Sequence, residues 1–165
     1  MGIRFSADEV LKMAERTEAN GAAFYRRAAE LRAGTDAAVV ETFKRLAEME
    51  DDHERTFAEM RAGLPNRMRE PMAADPYMEA HFYLSTMADQ HGGEGHPSAA
   101  AAMTGQESLP DLLRTAIGLE EKSIAFYLGL RDMVSDRQGK DRVDAIIDEE
   151  KSHIAILAGE LKNAG

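Results

Sequence analysis

The chain has 165 residues, 44% of them hydrophobic and 30% charged, which fits one soluble globular domain and excludes a disordered chain. Its net charge of −10 argues against a nucleic-acid partner, and the absence of Cys excludes disulfides, thiolate zinc sites, iron–sulfur clusters and Cys nucleophiles within it. No apolar run approaches the roughly 18 residues of a membrane span and the N-terminus lacks a signal-peptide core, so we expect a cytoplasmic protein with no membrane contact.

Ala outnumbers Val and Ile together by 27 to 12, a balance that favours helix over strand. Ser6-Ala7-Asp8-Glu9 reads as a capping box. Ser6 also fits a loose myristoylation pattern, but the cap explains it better. The first helix is expected over about 7–33, with Leu11, Ala14, Glu18, Gly21, Tyr25 and Ala28 in one stripe. Gly34 is a stop, and Thr35 or Asp36 a new cap. The second helix is expected over 36–62, with Val39, Phe43, Leu46, Glu50, His53, Phe57 and Met60 in line. Gly63 and Pro65 end it.

Residues 64–107 break the pattern with Pro65, Pro71, Pro76, Pro97, a Gly92-Gly93-Glu94-Gly95 cluster and five of the ten Met. A short helix is expected there from about Pro76 to Gln90. A helix of about 25 residues is roughly 37 Å long, so a connection of this length suits a crossover between opposite ends of a bundle. Ser108-Leu109-Pro110-Asp111 caps a third helix, expected over 110–135 with Leu113, Ala116, Glu120, Ser123, Tyr127, Leu130 and Val134 in line. Gly139 is expected to mark a break before a fourth helix over 140–162, striped by Val143, Ile146, Glu150, His153, Leu157 and Leu161. The whole, 1–165, is expected to form a single domain.

The two hairpins repeat each other. Tyr25 follows Glu18 by seven residues, as Tyr127 follows Glu120. His53 follows Glu50 by three, as His153 follows Glu150. The Glu18–Glu50 separation is 32 residues and the Glu120–Glu150 separation 30. Each Glu sits on an apolar stripe, where a bundle wants Leu. Four unpaired carboxylates meeting at one level of a core are prohibitive without cations. Two divalent ions offset four Glu in full, and a Glu-x-x-His pair on a helix points both side chains into the same space. The candidate metal ligands are therefore Glu18, Glu50, His53, Glu120, Glu150 and His153. Glu121 and Glu149 adjoin two of them and are alternatives under a shifted register.

On these motifs the chain resembles the ferritin-like superfamily, and within it the rubrerythrin-like branch. The resemblance implies a ferritin-like four-helix bundle, made of two repeated helical hairpins joined by a long crossover that holds a short helix. It implies two iron ions per chain, with Glu50 and Glu150 bridging and Glu18, Glu120, His53 and His153 as terminal ligands. It also implies that Tyr25 and Tyr127 stand behind those ligands. Typical rubrerythrins carry a rubredoxin-like domain that holds iron through four Cys; this chain has none, so electrons are expected from a separate donor protein. They also tend to have a carboxylate where this chain has Ser123.

The function expected is that of a di-iron redox enzyme reducing hydrogen peroxide, or reacting with oxygen, in oxidative-stress defence. A ferroxidase or iron-storage role and a structural, metal-stabilised bundle are the alternatives. Manganese or zinc are possible occupants, since the ligands suit both. His81, His91 and His96 are read as solvated loop residues, and the Met-rich crossover as apolar surface for a homodimer or small homo-oligomer.

Overall fold

The computed structural model describes residues 6–69, 98–134 and 136–164. Four long helices dominate: α1 over Ala7–Leu31, α2 over Ala37–Ala62, α4 over Leu109–Met133 and α5 over Arg137–Asn163. A 3₁₀ turn over Asn66–Met68 and one turn of helix, α3 over Ala99–Ala102, lie in the connection between α2 and α4. There is no strand among the described residues.

The caps are those the sequence predicts. The Glu9 N–H donates to the Ser6 hydroxyl at 3.2 Å, and the Ser6 N–H donates to the Glu9 carboxylate at 2.7 Å, so two otherwise orphaned donors are satisfied together. Asp36 takes the N–H groups of Ala38 and Val39, at 3.0 and 3.2 Å, to start α2. Gly34 turns the chain between α1 and α2 at φ +81°, a conformation that costs glycine little.

The helix limits differ from expectation by more than one residue at three places. α1 stops at Leu31 rather than 33, and α4 at Met133 rather than 135. α5 begins at Arg137, three residues before the expected start at Lys140. Gly139 is therefore not a break. Asp136 caps α5 by accepting the Gly139 N–H at 2.7 Å, and glycine stands there because a Cβ would lie 2.5 Å from Val134 Cγ1. The expected helix over 76–90, His81, His91 and His96, and the methionines at 72, 78 and 87 lie outside the described residues.

Cross-helix contacts define the topology. Tyr25 reaches Glu120 and Tyr127 reaches Glu18, so α1 and α4 run antiparallel. Thr42 meets Glu160 at 3.0 Å and His53 meets Glu149 at 2.9 Å, so α2 and α5 are antiparallel too. With antiparallel hairpins α1–α2 and α4–α5, α2 and α4 must be parallel, which is the crossover arrangement the long connection predicts.

The core has two apolar ends. One gathers Phe24, Tyr25, Phe43, Leu46, Leu113 and Leu157, with α3 packed against it through Ala99 and Ala100. The other gathers Val10, Phe57, Phe126, Tyr127, Leu130 and Val143. Between these ends lies a polar layer.

Candidate metal centre

Six ionisable side chains, two from α2, two from α5 and one each from α1 and α4, make up the polar layer. Glu18, Glu50, His53, Glu120, Glu150 and His153 are all buried, and Glu150 and His153 are 0% exposed. The structure thus brings together all six predicted ligand residues and both tyrosines. The helical stripe explains this: each residue occupies a core-facing position, and the hairpin repeat puts the four helices' contributions at one level.

The groups divide into two overlapping sets. Glu18, Glu50, His53 and Glu150 form one; Glu50, Glu120, Glu150 and His153 form the other. In each set the candidate ligand atoms lie within 4.8 Å of one another. Glu50 and Glu150 belong to both, so each stands between the two positions. His53 Nδ1 is 3.4 Å from Glu18 Oε2 and 3.3 Å from Glu150 Oε1. His153 Nδ1 is 2.9 Å from Glu150 Oε2 and 3.4 Å from both Glu50 Oε1 and Glu120 Oε1. Two ligand atoms each about 2.1 Å from one metal, at 90–110° to one another, are about 3.0–3.4 Å apart. The spacing therefore suits shared coordination.

Chemistry supports the same fit. Glu18 Oε2, Glu50 Oε1, both Glu150 oxygens, His53 Nδ1 and both His153 nitrogens are buried without a hydrogen-bond partner. Native proteins hold only a few such groups per hundred residues, so seven gathered in one layer call for a cause. Among the described residues only Arg32 Nε is also buried and unpartnered outside this layer, and a pair of cations would satisfy the layer's inward-facing atoms together.

Without cations the cluster must hold protons instead. Burial pushes the Glu50 carboxyl well above its ordinary range, and the charges of Glu18 and Glu150 add to the effect. Burial and the nearby Glu150 raise Glu120 to about 8 against the opposing His153 contact. Burial disfavours the imidazolium, but the close Glu150 and Glu18 carboxylates outweigh it and hold His53 up at about 11. The nearby Glu120 and Glu150 carboxylates do the same for His153, at about 9. The low value of Glu150, about 2, is set against burial by those two histidines.

Behind the ligands the tyrosines cross between hairpins. Tyr25 on α1 donates to Glu120 on α4, and Tyr127 on α4 donates to Glu18 on α1. Burial raises both phenols well above 10, and the neighbouring carboxylates add to it, so both keep their protons and act as donors. Phe43 stacks on Tyr25 at 6.1 Å and Phe57 lies 5.0 Å from Tyr127, which fixes both rings.

Glu149 has a role that spacing alone does not reveal. It does not join the inner cluster; it is half-exposed and its Oε2 lies 2.9 Å from His53 Nε2, the outward nitrogen. A carboxylate there fixes the ring's tautomer and leaves Nδ1 free to face inward. The equivalent position in the first hairpin is Met49, and His153 Nε2 is buried without a partner, so the two halves differ. Glu121 is exposed and stays outside both sets. Gly21 matters as well: a Cβ there would meet the Glu50 carboxyl at 3.3 Å, so glycine lets that carboxylate reach the centre.

A family model described as rubrerythrin matches residues 9–161 of the chain. The crystal structure of a candidate ferritin-like diiron-carboxylate protein from Thermotoga maritima is similar over 100% of both chains, with a TM-score of 0.73 and 23% identity. At that identity the likeness shows the fold. No curated protein matches the chain at a significant level.

Proposed function

The chain belongs to the rubrerythrin family, and from that membership we propose that it is a di-iron redox protein that reduces hydrogen peroxide, or reacts with oxygen, in cytoplasmic oxidative-stress defence. One observation carries the reading: two four-residue ligand sets share Glu50 and Glu150 in a buried layer whose inward atoms lack partners. Glu50 and Glu150 would bridge the pair, Glu18 and His53 would complete one position, and Glu120 and His153 the other. Two ferrous ions, when bound, supply the two electrons that turn hydrogen peroxide and two protons into two waters, and end as ferric.

The chain's own residues prepare that chemistry. Tyr127 and Tyr25 orient the Glu18 and Glu120 carboxylates and keep a proton beside each. Glu149 turns His53 so that Nδ1 faces inward. Phe43 and Phe57 hold the tyrosine rings and exclude water from the two ends of the layer. These 165 residues hold no Cys, so repeated turnover draws its electrons from a donor outside them. Among the described residues, no helix is long and apolar enough to cross a membrane.

Stopped-flow mixing tests the reading. Di-ferrous protein and one equivalent of hydrogen peroxide should give di-ferric protein rapidly, with two electrons consumed and no second turnover until reductant is added. Should peroxide react no faster than with free ferrous ion while oxygen is consumed quickly, iron oxidation for storage or transfer becomes the better reading.

A further inference from the structure

A cavity of about 230 Å³ lies between α1 and α4, and it reaches the polar layer. It is lined by Glu50, Glu120 and Tyr25 of the polar layer and by Gly118, Lys122 and Ser123. Small residues create it. A Cβ placed on Gly118 would meet nothing within 4 Å, so that side of the helix faces open space. Ser123, in the position one turn beyond Glu120, is short as well. The cavity reaches the Glu50 carboxyl beside Gly21, where an added Cβ would lie 3.3 Å from Glu50 Oε2; the glycine thus leaves that buried carboxylate uncovered on this side.

Apart from Glu50, which both halves share, the cavity meets one half of the centre. Glu120 and Tyr25 belong to the His153 side, and neither His53 nor Glu18 lines the space. The His53 side is closed differently, by Tyr127 on Glu18 and by Glu149 on the outer nitrogen of His53. Size limits the occupant: organic ligands generally occupy about 300–1,000 Å³, so this cavity suits small species.

We propose that the α1–α4 cavity is the access route and binding pocket for the exogenous ligand, a species of two or three heavy atoms such as peroxide, dioxygen or azide, which meets the centre on its Glu120–His153 side. The proposal rests on the di-metal reading for its purpose, but the route itself is testable without metal.

Two measurements test it. The chain has no Cys, so Ser123→Cys places a unique thiol on the cavity wall. In native metal-free protein that thiol should react with methyl methanethiosulfonate far faster than the chain unfolds. Adding Gly118→Leu should slow the reaction at least tenfold; leucine is also the better helix former, so the fold should survive. A shielded thiol in Ser123→Cys alone, or a rate unaffected by Leu at 118, would overturn the route. In the second arm, azide is mixed with di-ferric protein and followed by its charge-transfer absorption. Gly118→Leu should retain two irons per chain yet bind azide at least tenfold more slowly; an unchanged rate would overturn the proposal. A wild-type chain that binds no iron pair would instead sink the di-metal reading, while the thiol arm would still decide the route.

Discussion

Glu120→Gln should change stability in opposite senses with and without metal. In the metal-free protein the Glu120 carboxyl holds its proton up to about pH 8 rather than the ordinary 4.5, chiefly because it is buried. A native state that binds the proton more tightly than the unfolded chain loses stability as pH rises between those two values. The contribution is complete below 4.5 and is gone once pH has passed through 8. At about 1.4 kcal/mol per pH unit that interval is worth up to about 5 kcal/mol. Glutamine cannot ionise, so it keeps the low-pH condition at every pH. His153 loses a partner that helps hold its proton, which offsets part of the gain. The expected net gain is therefore about 2–3 kcal/mol at pH 9 and close to zero at pH 5, or roughly 5–10 °C in Tm for a chain this long. Thermal melts of chelator-treated wild type and variant at pH 5, 7 and 9 provide the assay. With metal present the sign should reverse, since the variant has lost a charged ligand and gains less from added iron. A variant less stable than wild type at pH 9 without metal, or a difference that does not change with pH, would refute the reasoning.

Glu50→Ala should abolish tight binding of at least one metal, because Glu50 belongs to both ligand sets; retention of two metals at wild-type affinity in a metal titration would remove Glu50 from the ligand set. Tyr127→Phe strips Glu18 of its buried donor, and metal-free protein should lose about 1–3 kcal/mol by chemical denaturation; unchanged stability would mean the phenol is only packing. Gly139→Ala should destabilise by about 1–2 kcal/mol, because overlap with Val134 exceeds the helix-propensity gain. A rise in Tm for that variant would show that Val134 moves aside freely.

Much of the candidate centre was legible because carboxylates on apolar stripes are so costly that they must share a purpose. Glu18, Glu50, Glu120 and Glu150 announce themselves by standing where Leu belongs, and the Glu-x-x-His spacing adds the two histidines. The tyrosines were visible as repeat positions, but their partners were not: each donates across to the other hairpin, to a Glu 95 or 109 residues away. Glu149 was visible only as a neighbour of Glu150, since nothing in spacing says that α5 turns it towards the outer nitrogen of His53. Gly139 looks like a stop because it is a glycine within a polar stretch, whereas in the fold it answers a steric demand from Val134 under the Asp136 cap. The α1–α4 cavity could not be foreseen at all, for it depends on what fails to fill the space opposite Gly118.

The central claim is that the six buried side chains hold a pair of metal ions. An anaerobic ferrous titration of folded, metal-free protein, followed by iron analysis of the desalted product, tests it most directly. The account predicts an end point at about two irons per chain, lost in Glu50→Ala. An end point at one iron or none, in protein shown to be folded, would contradict it.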